Sequence, residues 1–467
     1  MTGGLLDSAQ ALRSGSTTSV ALTEASLTAI ERLDDELKAF VLVDAAAALE
    51  AGRQADLELD AGRDLGPLMG IGVGIKDIVD VAGLPTRCGS TTYPAGPVRS
   101  DASVVSRLRA GGAVIIGKTT AHELACGVYS APARNPWATD RIPGGSSGGS
   151  GAAVAAGFVP VAIGSDTGGS VRIPASLCGV VGLKPTYGRV SRAGVEPLSW
   201  SLDHIGPLAS DVHTAAAALG VIAGRDDSDP TTTTTGVDFT EALDRGVEGL
   251  RLGVMEGAPF EPLQPDVAGA VGRAIEVLAD LGAVPVRVMI PELRHTLTAE
   301  FGIVGPEAAQ YHRDRLRQMP EQIDPGIRAL LVAGSISPAA HYLKALEARR
   351  VLTDAIREAF YASELDALVS PTLPATAARP DQENFEYGDT TEAVTLSYVR
   401  TTAPFNLSGL PAISVPCGFD SSGLPIGMQI AGRPFDGAMV LPIAVAYEPA
   451  GAWTTVVRPI DSTRIQQ

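Results

Sequence analysis

Residues 144–175 of this chain read GGSSGGSGAAVAAGFVPVAIGSDTGGSVRIPA. The Gly/Ser-rich run that opens the segment is, on its own, typical of a flexible linker. Here the run leads directly into a small-residue helical pattern at 152–156 and then into an apolar strand pattern at 159–163. This succession indicates tight packing rather than a linker.

Helix and strand patterns alternate on both sides of this segment, which predicts an α/β sheet. Helical periodicity covers residues 17–40, 44–59, 103–110 and about 338–363. Strand patterns cover residues 67–77, 113–117, 365–370 and 412–416. Lys76 lies where the first of these strand patterns ends.

The composition indicates a globular protein with a sizeable core. The 467 residues allow one to three domains, and 45% of them are hydrophobic against 19% charged. The formal net charge is −17 at pH 7, whereas capture of a phosphate backbone depends on clustered Lys and Arg. We therefore expect no direct nucleic-acid partner.

Metal, disulfide and targeting signals are weak. The cysteines Cys88, Cys126, Cys178 and Cys417 show no CxxC spacing, so neither a zinc site nor a disulfide framework is indicated. Residues 1–7 lack the basic and apolar regions of a signal peptide. The longest apolar stretch, 151–164, contains Pro160 and is shorter than the roughly 20 residues of a membrane span. We expect a cytoplasmic protein without membrane association.

Two known kinds of Gly/Ser-rich loop fit the run poorly. A nucleotide-binding P-loop ends in Gly-Lys-Ser/Thr, which is absent here. Residues 144–148 formally match the G-x-S-x-G nucleophile elbow, but an elbow follows a hydrophobic strand and residues 138–143 read ATDRIP.

Together with residues 74–77 (GIKD), the segment resembles the amidase signature family, whose hallmark is a Gly/Ser-rich run followed by a D-x-G-G-S motif, here residues 166–170. Ser146 and Ser170 are 24 positions apart, as in the family pattern. The resemblance continues through further segments: 118–125 (KTTAHELA), 135–137 (NPW), 178–186 (CGVVGLKPT), 201–207 (SLDHIGP), 402–412 (TAPFNLSGLPA) and 423–429 (GLPIGMQ). One departure is Thr120, where relatives commonly carry Asn.

The resemblance implies an architecture as well. We expect residues 1–467 to form a single amidase signature domain, an α/β fold whose large mixed twisted sheet is flanked by helices. The threonine-rich segment 226–238 is interpreted as a surface loop. The match is loose over about 230–393, the region that helps to shape the substrate pocket in this family.

The resemblance also implies roles for particular residues. Ser170 looks like the nucleophile, Ser146 like a proton-relaying serine preceded by a cis peptide, and Lys76 like the base. The chemistry agrees, because a serine hydroxyl needs a base and lysine accepts a proton only when neutral. Burial lowers the pKa of a lysine, so we expect Lys76 to be buried.

Substrate binding is assigned on the same grounds to the backbone of Thr167, Gly168 and Gly169, as part of an oxyanion hole, and to Ala125. Asp166 and Arg172 are interpreted as a structural ion pair. For the histidines His122 and His204 we expect structural hydrogen bonds, although a Ser-His-Asp triad remains open.

These features predict an amidase that hydrolyses an amide, carbamate or ester bond of a small molecule through an acyl-enzyme on Ser170. No cofactor and no metal are expected. The alternative is the glutamine-hydrolysing component of a tRNA-dependent amidotransferase complex, although residues 187–192 and 197–201 look more like stand-alone amidases. A catalytically dead binding module is disfavoured, because all three catalytic positions are present. Homodimers are common in the family, so a homodimer is the assembly to test.

Overall fold

The computed structural model describes residues 5–233, 238–241 and 243–450. Within these residues a large mixed sheet of 11 strands is flanked by helices, which confirms the predicted α/β fold class. The strands are β1 (Phe40–Val43), β2 (Gly72–Lys76), β3 (Val114–Thr119), β4 (Val161–Asp166), β5 (Val181–Lys184), β6 (His204–Ala209), β7 (Arg251–Glu256), β8 (Val284–Met289), β9 (Ala367–Pro371), β10 (Asn384–Tyr387), β11 (Thr390–Ala393), β12 (Ala412–Phe419) and β13 (Pro425–Ala431). The α-helices are α1 (Leu5–Arg13), α2 (Ser19–Leu37), α3 (Ala45–Asp60), α4 (Ser103–Ala110), α5 (Gly148–Ala155), α6 (Arg172–Cys178), α7 (Val212–Ile222), α8 (Pro265–Asp280), α9 (Thr296–Tyr311), α10 (Arg313–Gln318), α11 (Pro325–Ser335), α12 (Ala339–Ala362), α13 (Val394–Thr402), α14 (Pro404–Leu407) and α15 (Gly437–Ala450).

The strand order in the sheet is β1-β3-β2-β4-β6-β5-β12-β13-β9-β7-β8, and β10 and β11 form a separate hairpin. The pairs β2 with β3, β2 with β4, β7 with β8 and β7 with β9 are parallel, and the other pairs are antiparallel. Strands from the two ends of the chain therefore meet at β5 and β12, where Ile413 lies opposite Leu183.

The centre of the sheet is buried on both faces. In β3, Ile115 packs in one hydrophobic cluster while Val114 and Ile116 pack in another, because successive side chains of a strand point to opposite faces. In β4, Ile163 and Ala162 divide between the same two clusters. Helices cover both faces, as expected for a sheet that contains parallel strands.

The predicted helices and strands agree with the structure apart from their ends. The strand predicted from residue 67 begins only at Gly72, and further differences surround the serine segment. The helix predicted to start at 152 begins at Gly148, although glycine disfavours a helix interior. A Cβ atom on Gly149 would collide with the backbone of Ala39 and Thr120, so only glycine lets this helix pack so closely.

Strands β3 and β4 continue beyond their predicted ends at 117 and 163. The added residues are polar, yet Lys118, Ser165 and Asp166 are all buried. An apolar pattern cannot predict a buried polar strand end, so the sequence prediction stops too early.

The segment predicted as a surface loop, 226–238, is turn and coil over 226–233, whereas 234–237 lie outside the described residues. Arg192 forms an ion pair with Asp229, whose side chain is buried. The division into domains, predicted as a single one over 1–467, stays a prediction. Residues 1–4, part of the segment 1–7 in which no signal peptide is predicted, also lie outside the described residues.

In the described ranges no helix is both long and apolar enough to cross a membrane. All the cysteines named above are free thiols, and Cys88, Cys178 and Cys417 are buried.

Candidate active site

Lys76, the last residue of β2, has a fully buried side chain. Its Nζ atom donates hydrogen bonds to Ser146 Oγ at 2.7 Å and to Ser165 Oγ at 2.8 Å. Burial lowers the pKa of Lys76 to about 7, because desolvation disfavours the ammonium form. A substantial fraction of this lysine is therefore neutral near physiological pH.

Ser146 lies on the loop before α5, and its side chain is only 1% exposed. The peptide bond between Gly145 and Ser146 is cis. The carbonyl oxygen of Ser146 accepts a hydrogen bond from the backbone N–H of His122 at 3.0 Å. The contacts with His122 and Lys76 hold the loop from two sides, and the Ser146 hydroxyl is directed at Lys76.

Ser170 lies between β4 and α6, next in space to the Ser146 loop. The backbone N–H of Ser147 donates to the carbonyl oxygen of Ser170 at 3.3 Å, which joins the two serine segments. Ser170 is 8% exposed and lines a cavity of about 700 Å³. Lys76 and Ser146 lie below the cavity surface, so of the predicted catalytic residues Ser170 alone is among those that line it.

In the 167–170 loop the carbonyl groups of Gly168, Gly169 and Ser170 accept hydrogen bonds, whereas the N–H groups of the same residues are available. Thr402 Oγ1 donates to the carbonyl of Gly168 at 2.5 Å, and the N–H of Ile173 donates to that of Gly169 at 2.7 Å. Within the described ranges, the N–H groups of Gly168, Gly169 and Ser170 donate to no protein acceptor. An unpaired run of N–H donors beside a serine hydroxyl is suited to binding a carbonyl oxygen that gains negative charge.

Glycine is needed in this loop for steric reasons. Gly169 has φ +133°, a conformation that other residues rarely adopt, and an added Cβ would collide with Thr402. A Cβ on Gly168 would lie 2.7 Å from Glu300 Oε1. The backbone therefore packs closely against α9 and α13.

The buried ion pair between Asp166 and Arg172 closes this loop at its base, as the sequence predicts for a structural pair. Arg172 donates to both oxygens of Asp166 at 3.0 Å, and both side chains are fully buried. Arg172 also donates to the carbonyl of Thr402 at 2.9 Å and to Asn406 Oδ1 at 2.6 Å. The guanidinium thus ties the loop to α13 and α14, and its charge holds the pKa of Asp166 well below the ordinary value despite burial.

Ala125, Thr167 and Gly168, which the sequence predicts to bind substrate, line the same cavity as Ser170. Gly169 is not among the lining residues. The remaining wall is largely apolar, with Ile173 from α6 and further side chains from α9, α11 and α13, such as Phe301. The loosely matched region of the sequence contributes one side of this wall, including Glu300 and Ile327.

The two histidines singled out in the sequence have different environments. His122 lines the cavity, accepts a hydrogen bond from Ser130 N–H at its Nδ1, and has a pKa that burial lowers to about 4. It is therefore neutral and carries its proton on Nε2. His204 is buried, with Nδ1 2.6 Å from the carbonyl of Leu202. In the described part of the chain, neither ring contacts a serine hydroxyl, so this geometry gives no support to a Ser-His-Asp triad.

Three polar side chains near the site had no assigned role at the sequence level. Ser165 binds Lys76, and Asp203 accepts from Thr167 Oγ1 at 2.6 Å. Both residues lie in segments that match the family, so the sequence gives their positions in the motifs but not the contacts of their side chains. Glu300 lines the cavity from a region with no motif at all.

Among the described residues, no group of three or more His, Cys, Asp or Glu side chains is arranged to hold a metal ion.

Comparison with known proteins identifies relatives along the whole chain. The Amidase family model matches residues 21–441. An amidase of Pseudomonas putida is 42% identical over 450 residues, with 95% of each chain covered. A glutamyl-tRNA(Gln) amidotransferase subunit of Chloroflexus aurantiacus is 40% identical, with 95% of this chain and 96% of that protein covered. Among solved structures, one from a vestigial protein complex that bears on the origins of an s-triazine catabolic enzyme superposes with a TM-score of 0.92 at 34% identity, covering 96% of this chain and 99% of the other. The chain therefore belongs to the amidase signature family, hydrolases that act on carbon–nitrogen bonds.

Proposed function

We propose that this amidase hydrolyses a small-molecule amide through an acyl-enzyme on Ser170, with Ser146 as proton relay and Lys76 as base. The observation that carries the proposal is the 2.7 Å hydrogen bond from the buried Lys76 Nζ to Ser146 Oγ, beside the segment that bears Ser170. A lysine with a pKa of about 7 is neutral often enough to accept a proton at physiological pH.

The proton leaves Ser170 as its oxygen attacks the substrate carbonyl carbon. Ser146 accepts that proton and passes its own hydroxyl proton to neutral Lys76, which becomes an ammonium ion. The ammonium hydrogen-bonds to Ser146 and Ser165, so the new charge is partly compensated inside the protein. No net proton is lost to solvent in this step.

The tetrahedral intermediate places a negative charge on the former carbonyl oxygen. The free N–H groups of Gly168, Gly169 and Ser170 stabilise that charge without reorganisation, since the loop is already fixed by Thr402, Ile173 and Arg172. Removal of one such donor typically costs about 10² to 10³ in kcat.

Collapse of the intermediate breaks the carbon–nitrogen bond. Lys76 returns its proton through Ser146 to the departing amine, and a water molecule then attacks the ester carbonyl of the acyl-enzyme with the same residues acting again as base. Carbamates and esters pass through the same tetrahedral chemistry, so they belong in the substrate screen.

The cavity supports a small molecule rather than a polymer as substrate. Its volume of about 700 Å³ and its mainly apolar wall are typical of sites for compact ligands. Ser170 is reached from this cavity, so a substrate bound at Ser170 contacts residues of α9 and α13 that line it.

A serine-reactive fluorophosphonate tests the assignment of the nucleophile. We expect intact-protein mass spectrometry to show one adduct on the wild type, none on Ser170→Ala, and slow labelling of Ser146→Ala. Far-UV circular dichroism checks that both variants are folded. An adduct that maps to Ser146 would reverse the roles of the two serines and overturn the proposal.

The second candidate function is the glutamine-hydrolysing component of an amidotransferase complex, favoured by the 40% identity with the Chloroflexus protein. A measurement of ammonia release by the purified chain distinguishes this candidate function from that of a stand-alone amidase. Turnover of simple amides by the chain alone supports a stand-alone amidase, whereas turnover of glutamine only, and only in the presence of the other proteins of such a complex, supports the second candidate.

A further inference from the structure

Glu300 is a buried carboxyl group that the proposed mechanism does not use. It lies on α9, is 2% exposed, and lines the cavity together with Phe301 and Val304. Its Oε2 atom has no hydrogen-bond partner in the described part of the protein. A buried polar atom without a partner is costly, so such an atom in a cavity wall calls for an explanation.

Glu307, two helical turns further along α9, shows how this fold satisfies a buried glutamate. Its carboxyl group accepts hydrogen bonds from Ser199 Oγ at 2.6 Å, Ser201 Oγ at 2.8 Å and the Tyr342 hydroxyl at 2.8 Å. The two glutamates are similarly buried on one helix, and the one that faces the cavity lacks such partners. Because Oε2 itself is fully buried, the carboxyl group must turn about its Cγ–Cδ bond to bring this atom to the cavity, where a ligand can be its partner.

A ligand group that binds to Glu300 lies close to the reacting bond, because Glu300 is next to the 167–170 loop. Glu300 Oε1 would lie 2.7 Å from a Cβ built on Gly168, whose N–H is one of the proposed oxyanion donors. Val399 packs against the same glycine from α13. The carboxyl group therefore lies beside the 167–170 loop, with Val399 as an apolar neighbour.

The protonation state of Glu300 follows from these surroundings. Burial raises the pKa of Glu300 well above its ordinary value. Arg349 and Arg172 oppose the shift, and Asp166 and Asp203 add to it. A neutral carboxylic acid also avoids placing a negative charge beside the developing oxyanion. In this form the group offers one O–H donor and one carbonyl acceptor side by side.

We propose that Glu300 is a specificity-determining residue whose carboxylic acid binds a second amide-type group of the substrate, donating to its C=O and accepting from its N–H. The preferred substrates are then small compounds with a carboxamide or urea-like group close to the scissile amide. This inference rests on the proposed function for the identity of the scissile bond, and it deepens that proposal by naming a substrate class.

Calorimetric binding at neutral pH tests the inference without turnover, in the Ser170→Ala background. The probes are succinamide, 4-methylpentanamide, in which an isopropyl group replaces one carboxamide, and 4-aminobutanamide, which carries an ammonium group. We expect succinamide to bind at least about tenfold more tightly than either other probe, the effect of two buried hydrogen bonds. Glu300→Gln, whose amide also offers a donor and an acceptor, keeps the preference, and Glu300→Met abolishes it.

Equal affinities for succinamide and 4-methylpentanamide, or an unchanged preference in Glu300→Met, would overturn the inference. Tighter binding of 4-aminobutanamide would overturn it too, because it would mean an ionised carboxylate that binds cations. Thermal denaturation checks folding: Glu300→Met is expected to melt at or above the parent temperature, whereas Glu307→Met, which loses its partners, melts lower. Failure of Ser170 as nucleophile appears in the labelling experiment and leaves these binding results interpretable.

Discussion

Lysine side chains are fully buried at Lys76, Lys118 and Lys184, and their partners differ. Lys118 forms an ion pair with Asp77 at 3.0 Å, and Lys184 donates to backbone carbonyls, including that of Pro185. Among the described residues, Lys76 has hydroxyl partners only. Asp77, its sequence neighbour, is thus engaged elsewhere, and the absence of a carboxylate partner is what lets burial depress the pKa of Lys76.

The proposed mechanism predicts the pH dependence of the reaction. With neutral Lys76 as the proposed base, we expect kcat/KM to rise about tenfold per pH unit below pH 7 and to level off above it. Lys76→Met is expected to abolish turnover at every pH. The measurement is kcat/KM for one amide from pH 5 to pH 9, over which the protein must stay folded.

A second group near the site, Asp203, has a pKa that burial raises to about 6, close to that of Lys76. The Ser165→Ala variant shows which of the two controls the rise of kcat/KM with pH, called here the acid limb of the profile. Loss of an acceptor for the ammonium group lowers the pKa of Lys76, so the limb shifts to lower pH by about 0.5 to 1 unit. Ser150→Ala is the matched control, because this buried hydroxyl contacts Thr119 and Ile163 instead. A limb that stays in place in Ser165→Ala would mean that another group, such as Asp203, controls the profile.

At the scale of elements, the turn from β4 into α6 is held by one guanidinium group. Arg172 reaches Asp166 at the end of β4, Thr402 in α13, Asn406 in α14 and Gln429 in β13. The flat fork of five donors in arginine fits this arrangement, which a lysine ammonium cannot reproduce. The shape of the loop between β4 and α6 therefore depends on the strands and helices around it.

Arg172→Lys is accordingly expected to lower the free energy of unfolding by about 3 kcal/mol, as for other broken buried ion pairs, and to reduce kcat/KM. Urea denaturation gives the first quantity. Arg350→Lys provides the control, because its 3.3 Å pair with Asp354 is exposed and contributes less than about 1 kcal/mol. If the urea midpoint of Arg172→Lys equals that of the wild type, a positive charge at position 172 is enough for stability and the guanidinium geometry is not required.

Sequence patterns predict the elements around the site better than the contacts within it. The helical pattern predicts α4 with the same ends as in the structure, and β2 ends at Lys76 as expected. The apolar pattern could not reveal that β4 runs on to Asp166, because the buried polar residues there are satisfied by distant partners such as Asn406.

The same limit applies to the candidate site. Ser146, Ser170 and Lys76 stand in motifs with fixed spacing, so a resemblance could single them out. Glu300 has no motif, and its position depends on how α9 packs against the 167–170 loop. Only the three-dimensional structure brings it to Gly168.

At the scale of the whole molecule, the sheet joins strands from residues 40–209 to strands from residues 251–431. The junction is the pairing of β5 with β12, and α6 packs across it against β12 and β13. Arg172 spans the same boundary through Asn406 and Gln429. The loop that bears Ser170 therefore depends on both parts of the sheet.

We therefore expect cooperative unfolding in one transition, which would support the predicted single domain. The chain has three tryptophans, so the parent protein for this experiment carries Trp200→Phe and Trp453→Phe. Its fluorescence then reports on the region of the junction, since the Trp137 ring packs against Phe419 of β12 at 5.1 Å, whereas far-UV circular dichroism reports on all helices and strands. Their urea midpoints should coincide. Ile413→Ala, which removes fully buried atoms from β12, should lower both midpoints equally, with a loss of about 2 to 5 kcal/mol, while Val332→Ala on the surface changes neither. Two separate transitions, or a shift of only one signal in Ile413→Ala, would instead mean that the two parts of the sheet unfold independently and that the chain contains more than one domain.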